Sequence, residues 1–151
     1  MKRHPMIRPA VTGLLICVAA SSALAHHSHL TFYDPCKPVR IEGRIESVQW
    51  TDPHIQIDLK LDDERTYHAE WISLREVTTR GSIGPAQTML TSGTRVVITG
   101  NPLRDAAQIR VSVPDYKGDT RGPNLVDVAQ MRRADNSWSW RAENLPACKA
   151  Q

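Results

Sequence analysis

A small all-β barrel of the OB type, with five to six strands in Greek-key order and one short helix, is the fold the sequence predicts. Three observations carry that expectation: three consecutive alternating segments that read as a meander, a helix-capping motif directly after the third, and two further alternating segments beyond it. Each element follows from the spacing of its apolar residues.

The first strand starts at Val39, with Val39, Ile41 and Ile45 on one face and Val48 and Trp50 on the other. A change of phase within one strand is the mark of a β-bulge, which bends a long strand around a barrel corner. Thr51-Asp52-Pro53 is a turn. The second strand turns Ile55, Ile57, Leu59 and Leu61 inward and His54, Gln56, Asp58 and Lys60 outward. Asp62-Asp63-Glu64 reverses the chain, and Tyr67, Ala69 and Trp71 form the inner face of the third strand. If Leu61 faces Arg65, His54 lies opposite Ile72, Gln56 opposite Glu70 and Asp58 opposite His68. His54 and His68 are then separated by about 13 Å, too far to share an ion.

Ser73 and Glu76 have the spacing of a capping box, so a short helix runs to about Arg80 and stops at Gly81. Gly84-Pro85 and Thr91-Ser92-Gly93 read as loops around Met89 and Leu90, which plug the core. Thr94–Thr99 is the fourth strand, and Ile109, Val111 and Val113 alternate as a fifth. Asp115–Asn124 reads as a loop, Leu125–Met131 as a sixth strand or edge cover, and Asn136–Gln151 as a tail whose Trp138 and Trp140 close one end of the barrel.

Of 151 residues 40% are hydrophobic and 23% charged, the balance of an ordinary globular chain. The net charge of +3 invites a nucleic-acid reading, but Lys2, Arg3 and Arg8 lie in the first 25 residues, leaving 16 basic against 16 acidic residues. No nucleic-acid footprint remains after them. Residues 1–25 read as a signal peptide: a basic start, an apolar run from Val11 to Ala20 that is too short to span a membrane, and Ala23-Leu24-Ala25 as the cleavage site. Cys17, preceded by Ile16 rather than the small residue that lipid attachment requires, leaves with the leader. The mature chain then begins at His26 in the periplasm or outside the cell and has no membrane span. Its organisation is a His-rich arm over residues 26–37, a barrel over 38–131 and a tail over 132–151. Cys36 and Cys148 remain in an oxidising compartment and pair as a disulfide that ties the tail back; free thiols or a metal thiolate pair are the alternatives.

The order of short motifs also resembles a family. Ala25-His26-His27-Ser28 after a leader is followed by Phe32-Tyr33-Asp34-Pro35, Lys37-Pro38 and a Gly-x-Ile strand that ends in Trp50-Thr51-Asp52-Pro53-His54; Gly93-Thr94-Arg95-Val96 and Gly100-Asn101-Pro102 come later. From Ala25 to about Val113 the chain is similar to the exported bacterial family catalogued as domain of unknown function 6152. That resemblance implies a small periplasmic or secreted β domain without an established activity. The chain departs from the family's pattern at His29 and Leu30, where an aromatic is usual, at Asp52 in place of asparagine, and at Cys36. The stretch after Glu70 lacks the family's usual Ser-Pro-Asn, and the segment beyond Tyr116 has no counterpart in that pattern.

Chemistry concentrates at the expected amino terminus. A free amine followed at once by an imidazole chelates one ion through two nitrogens at His26, and His27, His29 and His54 supply more, with Glu70 placed to orient His54. A planar nitrogen set suits copper(II) best, with zinc or nickel as alternatives. The bland reading is a mobile polar end. No G-x-S-x-G, G-x-x-x-x-G-K or H-E-x-x-H motif is present, and Asp62-Asp63-Glu64 reads as a solvated turn. The leading expectation is therefore a non-enzymatic metal-binding protein. Its alternative is a structural or adaptor module that takes an envelope protein or small ligand on the barrel face; a copper oxidase is least favoured. The sequence leaves the oligomeric state open.

Overall fold

A computed structural model describes residues 29–119, 122–145 and 147–148. Six strands form one sheet: β1 (Val39–Gln49), β2 (Gln56–Lys60), β3 (Thr66–Glu70), β4 (Arg95–Pro102), β5 (Leu125–Arg133) and β6 (Ser139–Arg141). Their order is β3-β2-β1-β4-β5-β6, and β3 also pairs in parallel with β5, which closes the first five strands into a barrel. This is the all-β Greek-key closure that the sequence predicts.

The meander forms in the expected register, with Gln56 opposite Glu70 and Asp58 opposite His68. The expected bulge is also present: the pairing of β1 with β2 shifts register between Ile45 and Ser47. Ile41, Ile45, Ile57, Leu59, Ala69 and Trp71 are all buried in one core. Trp71 sits at its centre, met edge-on by Trp50, Trp138 and Trp140 at ring separations of 6.3, 6.0 and 5.4 Å. Trp138 and Trp140 pack against the core beside Trp71, and the segment expected to be a tail from Asn136 on instead holds β6, which pairs with β5 and carries Trp140.

Helix α2 (Leu74–Thr79) begins where the capping box places it, with the Glu76 amide donating to Ser73 Oγ at 3.1 Å. Three other short helices accompany it where one was expected: α1 (His29–Phe32), α3 (Ile83–Met89) and α4 (Ala106–Ser112). Gly84 and Pro85, expected in a loop, lie in the first turn of α3, where proline loses no hydrogen bond. Leu90 is buried as expected, whereas Met89 is half-buried and Ala86 takes the inner position.

The fifth strand is the main correction. Ile109, Val111 and Val113 do not form a strand; Ile109 and Val111 belong to α4, with Ile109 buried and Val111 85% exposed. Asp105 stands at the N-cap position and Ala106-Ala107-Gln108 are good helix formers, so local preference wins over a short alternation. Leu125–Arg133 is the strand that closes the barrel rather than an edge cover. Cys36 and Cys148 form a disulfide. Among the described residues no helix is long and apolar enough to cross a membrane.

Candidate functional site

Residues 29–38 lie against the outside of the barrel. Tyr33 pairs with Leu103 in an isolated bridge, the Asp34 amide donates to Pro102 O at 2.9 Å, and Arg104 Nε reaches the carbonyls of Leu30 and Tyr33 at 3.2 and 3.1 Å. The strand β5 shows why this cover exists. Val126, Val128 and Met131 enter the core while Leu125 and Ala129, which are outside it, are buried as well. A strand that is apolar on both faces needs a second layer, and His29 and Leu30 of the arm with Ala142 and Leu145 of the C-terminal segment gather around Val128 and Ala129.

Between the arm and the barrel lies a half-open cleft of about 270 Å³. His29 and Tyr33 line it from the arm, Pro53 and His54 from the β1–β2 loop, Glu70 from β3, and Tyr116 from the β4–β5 connection. Glu70 alternates with the buried Ala69 and Trp71 and so faces out of the barrel, where its carboxylate accepts a short hydrogen bond from the Tyr33 hydroxyl.

The cleft brings two of the expected ligands together. The rings of His29 and His54 stand edge to face with centroids 5.0 Å apart. His29 Nδ1 lies 3.1 Å from Asp127 Oδ1 on β5. That hydrogen bond raises the imidazole above its ordinary pKa against the opposing effect of burial, with the charges of Asp127 and Glu70 adding to the rise. It also occupies one ring nitrogen and leaves Nε2 for another partner. His54 Nδ1 is buried and has no hydrogen-bond partner among the described residues. Leaving such an atom unpaired costs about 1–3 kcal/mol.

The other expected residues fall elsewhere. His26 and His27 lie outside the described residues. Glu70 lines the same cleft as His54 and is bonded to Tyr33. His68 belongs to a separate surface group: its Nδ1 is 2.7 Å from Asp58 Oδ1, and Ser47 Oγ donates to the other Asp58 oxygen at 2.6 Å. Among the described residues no three His, Cys, Asp or Glu side chains are grouped to hold a metal ion. Asp127, Tyr33 and Tyr116 were given no role by the sequence. Tyr33 sits in a motif that carries the family resemblance, whereas the meeting of Asp127 with His29 depends on a parallel pairing between distant segments.

The sequence pattern of a family of unknown function, DUF6152, matches residues 13–111, more than half of the chain. The chain belongs to this family. The DUF6152 match includes the arm, β1 to β4 and most of α4, and it ends before β5. No curated protein matches the chain.

Proposed function

We propose that this DUF6152 protein is exported, is trimmed to begin at His26, and holds one copper-like divalent ion at the mouth of the cleft without catalysing a reaction. Nitrogen donors come from His26 and His27 together with His29 and His54; zinc or nickel are weaker fits to such a set. The observation that carries this reading is the 5.0 Å approach of the His29 and His54 rings, with the buried His54 Nδ1 lacking a partner among the described residues.

Two features support it. Asp127 holds His29 by Nδ1, the arrangement in which a carboxylate fixes the ring and increases its basicity toward a metal at Nε2. His26 stands three positions before His29, a tether of at most about 10 Å, so its amine and imidazole stay within reach of the pair.

The test uses tag-free protein whose intact mass corresponds to a start at His26, titrated with Cu(II) under electron paramagnetic resonance. One bound ion with nitrogen hyperfine structure is expected. It is lost in His26→Ala or when an extra alanine precedes His26, and Asp127→Asn weakens it about 10- to 100-fold. Binding that ignores both His26→Ala and His54→Ala overturns the reading and favours an adaptor module.

A further inference from the structure

We propose that the cleft is also a binding site for a neutral oligosaccharide, seating one sugar ring between the β1–β2 loop and the β4–β5 connection. The proposal goes beyond the ion site and does not rest on it.

Position is the first argument. Five-stranded barrels of this order bind oligonucleotides or oligosaccharides on the face of strands 2 and 3, flanked by the loops between strands 1 and 2 and strands 4 and 5. Here Pro53 and His54 come from the first of those loops, Tyr116 from the second and Glu70 from the outer face of β3, and all four line one opening.

Chemistry decides between the two ligand classes. An oligonucleotide needs basic side chains against its phosphates, with aromatic rings for its bases. The described lining of the cleft contains no lysine or arginine, and the Glu70 carboxylate repels an anion. A neutral sugar asks for something different. Its ring presents C–H faces that pack on aromatic side chains, and its rim presents hydroxyl donors. Phe32 and Tyr116, both half-buried, supply the rings, edge to face at 6.0 Å, while Tyr33 is buried behind them. Glu70 and Asp119 place carboxylate oxygens, which accept hydroxyl donors, on the same lining.

Size agrees. Pockets for drug-sized ligands run from about 300 to 1,000 Å³. A half-open cleft of about 270 Å³ suits a single ring, with the rest of the chain lying across the lip.

The test is made in EDTA, so that failure of the ion site leaves it untouched. Tag-free ¹⁵N-labelled protein is titrated with cellotriose and chitotriose as neutral probes, and with trigalacturonate and an oligothymidine as anionic ones. Saturable binding of a neutral probe is expected, with amide shifts clustered around Tyr33, His54 and Tyr116 and about tenfold weaker binding in Tyr116→Ala. Phe32→Ala, on the arm side, gives the same loss if the first variant melts early. The proposal is overturned if neither neutral probe binds, if an anionic probe binds more tightly, or if the shifts map to another face.

Discussion

Gly100 shows how little room the site's scaffold leaves at single positions. A Cβ there would stand 2.8 Å from the Asp127 carbonyl oxygen and 3.2 Å from Val126 Cβ. Backbone cannot yield as a flexible side chain does, so Gly100→Ala pushes β5 away from β4 and should cost about 1–3 kcal/mol, read as a lower thermal midpoint. The same displacement moves Asp127, whose carboxylate holds His29. In Gly100→Ala the His29 ring should therefore show altered NMR shifts at a temperature where the fold is intact; unchanged shifts would mean that Asp127 does not set its orientation. At this scale the sequence was partly legible. His29 and His54 were singled out from local features, a His-rich arm and a turn before a strand, and they do line one cleft. Asp127 was invisible because nothing near it in the chain says which residue it will meet.

Elements were legible where their signals were local and long. The meander was read to its register because Ile55, Ile57, Leu59 and Leu61 alternate without a break and the turn after them is tight. The capping box fixed the start of α2 for the same reason. Ile109, Val111 and Val113 misled because five residues of alternation are too few to separate a strand from a short helix with one buried side. The strands β1 and β4 also carry a charged cluster with a pH signature. Arg95 donates to Glu42 Oε1 at 3.0 Å and to both oxygens of Asp62 at 3.1 and 2.6 Å. Hydrogen bonding to Arg95 holds both carboxyls below the ordinary carboxylate range. A carboxyl whose folded pKa is depressed contributes stability above its unfolded value and loses it as pH falls through the folded one. The midpoint of wild-type unfolding should therefore drop between about pH 5 and pH 2, and Arg95→Gln should flatten that drop. A profile of equal steepness in the variant would show that the cluster adds nothing.

Over the whole molecule, two long-range connections hold the layers together. The Cys36–Cys148 disulfide spans 112 residues and joins the arm to the C-terminal segment. In the chain-entropy account a loop of that length contributes at most about 5 kcal/mol, so the Cys36→Ser, Cys148→Ser double variant should unfold at a lower denaturant concentration. An unchanged midpoint would mean that Arg104 and the bridge between Tyr33 and Leu103 already fix the arm. The pairing of two cysteines was legible because only two follow the expected leader. The parallel contact of β3 with β5 was not, since it joins residues 68–70 to 125–127 across three helices and a strand.

That contact separates the shared part of the chain from the part that completes it. The family's pattern stops at residue 111, so a gene product cut there would retain the first four strands and lack β5. The edges of β3 and β4 that β5 covers would then offer bare amides and carbonyls to any neighbour, the condition under which sheets stack between molecules. A fragment ending at Val111 should precipitate or form fibrils at concentrations where the full chain stays monodisperse in light scattering. What most resembles the relatives would, in isolation, be the part least able to stay in solution.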